Sequence, residues 1–542
     1  MRCVLFLYPL LGLASAWASQ CSQPIPTKLR IFDGEIIGTT TSLPSATAMV
    51  NKYYGVPYAE PPVRFAPATP PRPWCDTRDA TKHAPVCIQQ WPDVPGDLLR
   101  DAFNTPPAPE SEDCLYLDIY APSSPPPPGG RAVLFIIPGG AFEEGGALFY
   151  DGSMFAAYED VIAVFINWRT NVFGFPASPE LPPDARNLGL LDQRLALDWV
   201  YRNIHFFGGD PEKIAINGAS AGALSVDAIM TTYTRGSHPP FRAGIMESGQ
   251  YSIPVVFGLN VDSTPAWAAL AALLNCSTAP GSSNLTCIRK APATTIRDII
   301  EEYDLFFDPT PDNYTLLSNP GLARIEGRVI DLPILIGNGA QEGRLFAYGQ
   351  SNLTAYLEQT FGQIPIPSLI PTIEKAYPRG INGLDTDYDI IAQIMTEFQF
   401  QCPAALFADV TSHVQKSPTW LYYYNASFPN LEPAMAPNLG VYHGSMEGLL
   451  YSAYHDHAAN FTAQERELQR YMLNAWGAFV RDPMKGPSWP AIKLTGKGVR
   501  DLEVLGNVGN AKTGGGVTVA QERVDARCEI YLPIYKALVG YS

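Results

Sequence analysis

The sequence predicts an α/β fold with a large, mostly parallel central sheet and helices on both of its faces. Three observations carry that prediction. Apolar runs of strand length alternate with segments whose apolar residues recur at helical spacing, the order that generates crossover connections and a doubly covered sheet. The chain has 542 residues, enough to bury many strands within one domain that carries insertions. Finally, Phe206–Gly222 (FFGGDPEKIAINGASAG) reads as a strand, a sharp turn and a helix, with Ser220 framed by Gly218 and Gly222.

The chain opens with MRCVLFLYPLLGLASAWAS, which has a positive Arg2, an apolar core at Val4–Leu13, and small residues at Ala14–Ala16 and Ala16–Ala18. Residues 1–18 are therefore expected to be a secretory signal, leaving 19–542 as a single domain. Pro9 and the short length disfavour a buried helix there. Lys52–Phe65 (KYYGVPYAEPPVRF) is turn-rich and aromatic. Leu115–Ala121 and Ala132–Ile137 are expected strands, and the SSPPPPGG between them reads as a surface loop joining neighbouring strands. Val161–Trp168 is a further apolar strand. In Leu188–Asn203, Leu191, Leu195 and Trp199 fall at i, i+4 and i+8, the stripe of an amphipathic helix. Ile214–Ile216 is the strand before Ser220, and Ala243–Met246, Pro333–Ile336 and Trp420–Tyr424 are later ones. A long helix is expected over Ala463–Arg481, stopping near Asp482-Pro483. Residues 260–330, rich in Pro, Ser and Asn, read as a surface insertion with some helix. Gly506–Gly516 carries five glycines but lacks the G-x-x-x-x-G-K spacing of a phosphate loop, and reads as a flexible loop.

Composition narrows the partners. A net charge of −16 disfavours nucleic acid and anionic membranes. No 18-residue apolar run follows the N-terminus, so no integral membrane association is expected. Nine cysteines become eight once Cys3 leaves with the signal, an even number expected to form four disulfides in an exported chain. No C-x-x-C pair points to zinc. Sequons at Asn275, Asn284, Asn313, Asn352, Asn425 and Asn460 agree with a secreted, extracellular glycoprotein.

Ser220 carries the candidate chemistry. A serine hydroxyl attacks a carbonyl when it is exposed, deprotonated by a neighbour and set beside donors for the developing oxyanion. A G-x-S-x-G turn between strand and helix exposes the hydroxyl, and its glycines remove Cβ atoms that would obstruct the turn. The helix behind it directs N–H groups at the developing charge. In this arrangement the acid and then the base follow the serine along the chain. Of the seven histidines, His413, His443, His455 and His457 lie far enough downstream. His443, in VYHGS after an Asn-Leu-Gly turn, has the flanks of a loop at a sheet edge. His455-Asp456-His457 reads as a solvated face rather than a metal site. For the acid, Glu342 lies on a glycine-lined turn past the strand Pro333–Ile336, and Asp331 is nearly as good a candidate. Ile136–Phe142 (IIPGGAF) places small residues after a buried strand, where backbone N–H groups can approach an oxyanion; each such donor contributes about 3–4 kcal/mol.

Several segments share one pattern. Phe207-Gly208-Gly209, Ile214, Ile216 and Gly218–Gly222 form a serine signature, and Glu112–Pro122 (EDCLYLDIYAP) forms a second. Asn187–Val200 and Gly55–Pro62 agree with them. With these motifs the chain resembles the type B carboxylesterase family, which includes cholinesterases and secreted fungal lipases, over nearly the whole mature chain. The resemblance implies an α/β-hydrolase fold with loop and helical insertions over a gorge, and a carboxylic ester hydrolase. It implies Ser220 as nucleophile, Glu342 as acid and His443 as base, with oxyanion donors at the N–H groups of Gly140, Ala141 and Ala221. Ser248, in MESG, would support this triad from behind. No cofactor and no metal are implied. The family's disulfides carry over as Cys87–Cys114, Cys276–Cys287 and Cys402–Cys528, which leaves Cys21 and Cys75 as the remaining pair.

Departures from the family pattern refine the expectation. Ala219 stands where Glu is common before the nucleophile, and Pro138 and Ala141 replace the His and last Gly of an H-G-G-G-F stretch. The position of the choline-binding tryptophan falls at Asn104, so a cation–π partner for quaternary ammonium is missing and a cholinesterase is not expected. Residues 88–113 would form a lid-like loop in which Leu98, Leu99, Ala102 and Phe103 make a small apolar face. The expected substrate is an uncharged small-molecule or lipid ester, of short or medium acyl length. A triacylglycerol lipase with a mobile lid is the alternative. A non-catalytic adhesion or binding protein on the same fold is a further one, disfavoured because all three triad residues are present.

Overall fold

The computed structural model describes residues 27–91, 97–253, 262–276, 283–452, 461–492, 501–506 and 515–540. The expected signal, Cys21, Asn460, His455 and His457 lie outside the described residues. Among the described residues thirteen strands form one sheet. They are β1 (Thr27–Arg30), β2 (Glu35–Thr41), β3 (Val50–Pro57), β4 (Arg78–Asp79), β5 (Tyr116–Pro122), β6 (Arg131–Ile137) and β7 (Ile162–Ile166), followed by β8 (Gly209–Ala219), β9 (Ala243–Glu247), β10 (Ile334–Gly339), β11 (Thr419–Tyr424), β12 (Asp501–Leu505) and β13 (Gly516–Ala520). Their order is β1-β2-β3-β5-β7-β6-β8-β9-β10-β11-β12-β13, with β4 against β2.

From β7 to β12 every neighbouring pair is parallel. The flanks from β1 to β7 and the last pair, β12–β13, are antiparallel. The parallel centre is the sheet that apolar runs alternating with helices predict. β6 shows why: Val133, Phe135 and Ile137 join the core on one face, while Leu134 and Ile136 join the core on the other. Helices Leu188–Asn203 and Ala221–Thr232 cover the first face, and Ala463–Arg481 covers the second. The Ala463–Arg481 helix opens with a capping box of Thr462 and Glu465, which satisfies two otherwise orphaned N–H groups.

Several local expectations need correction. Lys52–Pro57, read as turn, belongs to β3, where Tyr53 and Val56 are buried against the sheet. Although the SSPPPPGG loop joins β5 to β6, these are not neighbours, because β7 lies between them. β10 continues through Gly337-Asn338-Gly339 instead of turning there, since Gly337 lacks a Cβ that would sit 2.3 Å from the Tyr422 carbonyl oxygen. In the Leu188–Asn203 helix, Leu191 and Leu195 are only partly buried while Asp192 and Gln193 are fully buried. Two polar contacts turn it this way: Asp192 takes both forks of the Arg169 guanidinium at 2.7 Å, and Gln193 reaches Ser225 Oγ at 3.1 Å. Residues 260–330 do more than decorate the surface, because Trp267, Leu270, Ile296 and Ile300 enter the core.

Among the described residues there are three disulfides, Cys87–Cys114, Cys276–Cys287 and Cys402–Cys528. Cys75 is exposed, and a pairing with Cys21 falls outside the described residues. Of the sequons, Asn275, Asn313 and Asn352 are exposed, and Asn284 and Asn425 partly buried. No described helix is long and apolar enough to cross a membrane.

Candidate active site

The site is assembled from the C-terminal ends of β6, β8, β9 and β10. These strands run parallel, so their ends share one edge of the sheet, the place where parallel sheets hold ligands. Ser220 directly follows β8 and precedes the helix Ala221–Thr232. Its backbone is held at φ 53° and ψ −123°, a region costly for any residue with a Cβ. The bend closes tightly because its glycines are bare. A Cβ on Gly218 would lie 2.3 Å from the Gly222 carbonyl carbon, and one on Gly222 would lie 2.1 Å from the Ile137 oxygen.

Glu342 lies just past β10 and is 1% exposed. Its Oε1 accepts from the Gly339 N–H and from Ser248 Oγ, the latter at 2.5 Å. Its Oε2 lies 2.5 Å from His443 Nδ1. His443 is 7% exposed, on the loop before the helix Ser445–Leu450, with its ring packed against the stacked pair Phe346 and Phe400 at 5.0 and 5.1 Å. With Nδ1 donating to the carboxylate, Nε2 is the nitrogen free to accept a proton. Asp331 stands apart. It precedes β10, at the opposite end of that strand, and its carboxylate accepts the N–H groups of Lys416 and Ser417. His413 is exposed on another helix beside Asp409.

Ser220 and His443 open onto one pocket with Gly139, Gly140, Ala141 and Ala219. The turn after β6 is pinned by the Glu143 and Glu144 N–H groups, which both donate to the Gly140 carbonyl at 2.8 and 2.9 Å. The N–H groups of Gly140, Ala141 and Ala221 have no acceptor among the described residues, so they are available to an anionic oxygen. Leu99 and Phe103 of the short helix Leu98–Phe103, with Leu345 and Phe346, form the apolar wall. Leu98, Ala102 and Phe103 also pack on the loop that leads to His443. Asn104 is buried off this wall, and its Oδ1 accepts the Ala108 N–H at 2.9 Å.

Sequence reasoning missed the acids around this pocket. Glu144 and Glu447 line it, and Glu247 lies behind it. Glu144 follows the Gly-Gly turn and Glu447 falls one helical turn after His443, a spacing that was open to notice. The partners of Glu247 had no local signal. Its Oε1 accepts Asn217 Nδ2 at 3.0 Å and Trp476 Nε1 at 2.7 Å, and lies 3.0 Å from Tyr451 OH, while Oε2 has no donor among the described residues. Burial raises both carboxyls above the usual glutamate range, and the charges of Glu247 and Glu342 raise Glu447 further.

A stability prediction arises here. An acid whose folded pKa is raised keeps a proton that the unfolded chain releases, so stability is full below the usual glutamate range and falls as pH rises toward neutrality. Glu247→Gln keeps an acceptor for Asn217 and Trp476 but removes one titrating group. The unfolding free energy of this variant, from urea titration, is expected to fall less than that of the wild type between about pH 5 and about pH 8, by roughly 1 kcal/mol or more. An equal or steeper fall would rule out the buried acid as the cause.

A serine-bearing strand-to-helix turn at the edge of a parallel sheet, beside a buried carboxylate–imidazole pair, is the arrangement of the α/β-hydrolase fold. The model of the carboxylesterase family matches residues 24–503, and the chain belongs to that family and is a carboxylic ester hydrolase. It is 32% identical over 494 residues to the para-nitrobenzyl esterase of Bacillus subtilis (strain 168), covering 84% of this chain and 91% of that one. It is 32% identical over 521 residues to the acetylcholinesterase of Bungarus fasciatus, covering 88% and 84%. Secreted lipase 1 of Botryotinia fuckeliana (strain B05.10) is 32% identical over 458 residues, covering 75% and 78%. A solved PNB esterase structure superposes with a TM-score of 0.71 at 28% identity, covering 93% of this chain and 98% of that one.

Proposed function

We propose that the chain is a secreted serine esterase that hydrolyses uncharged carboxylic esters by acyl transfer through Ser220, His443 and Glu342. His443 Nε2 takes the Ser220 proton as Oγ attacks the ester carbonyl. The oxyanion rests on the N–H groups of Gly140, Ala141 and Ala221. The imidazolium, steadied by Glu342, returns the proton to the departing alcohol, and water repeats the sequence to free the acid. The observation that carries this reading is the 2.5 Å Glu342–His443 contact beside the pocket that holds Ser220. Loss of p-nitrophenyl ester turnover in Ser220→Ala is its test. The three disulfides and the secreted lipase relative support export.

A lipase reading has one observation in its favour. Leu99 and Phe103, from the lid-like loop, line the pocket beside Ser220. A lipase opens such a face at a lipid surface, so tributyrin turnover would rise several-fold above its solubility limit. Ordinary saturation with no such rise is the expected result.

A further inference from the structure

The pocket holds an acidic side chain that the proposed mechanism does not use. Glu144 lines it with Ser220 and His443. The carboxyl is pressed against the oxyanion turn: a Cβ built on Gly140 would lie 2.6 Å from Glu144 Cδ. Among the described residues no donor reaches the Glu144 carboxyl, and the pocket lining includes no lysine or arginine. A half-buried carboxyl that faces the pocket with no protein partner is open to hydrogen bonding by a ligand group.

Position defines which part of the ester meets it. The departing alcohol oxygen must receive its proton from His443, so the alcohol enters the pocket that His443 lines together with Glu144 and Glu447. Glu144 and Glu447 are the two carboxyls of that pocket. We infer that Glu144 reads the alcohol portion of the substrate and favours alcohols with a free hydroxyl near the ester oxygen, such as partial esters of a polyol. The inference rests on the Ser220–His443–Glu342 reading and adds a specificity-determining residue to it.

The state of the carboxyl explains why a hydroxyl fits better than a cation. Burial pushes the Glu144 acid up to about 8, so near neutral pH it is mainly protonated. A protonated carboxyl donates and accepts, as a hydroxyl does, and the pair buries no net charge.

The test compares kcat/KM for 2,3-dihydroxypropyl butanoate and for propyl butanoate, which has the same carbon skeleton without the hydroxyls. Wild type is expected to favour the dihydroxy ester by about tenfold, the scale of one or two added hydrogen bonds. Glu144→Leu should abolish that ratio, and Glu144→Gln should retain part of it. Turnover of p-nitrophenyl butanoate in each protein reports separately on the triad. If wild type cleaves none of these esters, the esterase reading falls and this inference with it. A wild-type ratio near one, or a ratio unchanged in Glu144→Leu, overturns the assignment while leaving the triad intact. Should the leucine variant fail to fold, a ratio in Glu144→Gln at or above the wild-type value overturns it equally. A further arm uses 2-(dimethylamino)ethyl butanoate. Turnover more than tenfold above the dihydroxy ester, lost in Glu144→Gln, would make the subsite one for cations and refute the hydroxyl assignment.

Discussion

Replacing Ser220 by alanine is expected to lower kcat on p-nitrophenyl butanoate by about 10⁶-fold, the scale seen when a serine triad loses its nucleophile. The fold should survive. The substitution removes one oxygen, and Ser220 Oγ makes no hydrogen bond among the described residues. The costly backbone at φ 53° is no worse for alanine than for serine, since both carry a Cβ. The circular dichroism spectrum should therefore match wild type, and the unfolding free energy from urea titration should agree within about 0.5 kcal/mol. Undiminished turnover in a folded Ser220→Ala protein would remove Ser220 from the chemistry.

Glu342→Gln has the second-largest expected effect, about 10⁴-fold in kcat. The local donors make this outcome specific. Gly339 N–H and Ser248 Oγ both donate to Oε1, so a glutamine at this position places its carbonyl oxygen there. Its NH₂ then faces His443 Nδ1, which must become the acceptor. The imidazole is driven into the tautomer with Nε2 protonated, and that tautomer cannot take the Ser220 proton. KM should change little, because Glu342 does not line the pocket. A variant with kcat within about tenfold of wild type would show that the imidazole does not depend on this carboxylate.

The central sheet was legible in the sequence because its strands are buried on both faces and leave short apolar runs. The Ser220 turn was legible because its constraint is local: two bare glycines and a serine within five residues. Strands of mixed pattern were harder. β3 carries Lys52 and Gly55 among its aromatics, so its pattern resembles turn as much as strand. The Leu188–Asn203 helix misled in another way. Its apolar stripe named Leu191 and Leu195, yet buried pairing of Asp192 with Arg169 rotates a polar position inward. The choice between Glu342 and Asp331 stayed open on residue type alone. Strand polarity separates them, since only Glu342 follows β10 to the edge where β8 delivers Ser220. Nothing in the local sequence joins Glu247 to Trp476, a contact spanning 229 residues. Glu144 was visible beside the Gly-Gly turn, but only the packing exposes its lack of a partner.

The most direct measurement is the site of covalent capture by a fluorophosphonate, mapped by mass spectrometry of peptides from the fully inhibited enzyme. A reactive serine forms a stable adduct with such a reagent because the adduct resembles the tetrahedral intermediate. The account predicts one phosphonyl group per chain, on the peptide that holds Ser220, with activity lost in proportion to labelling. Full inhibition with the group on another residue, or full activity after Ser220 is labelled, would contradict it.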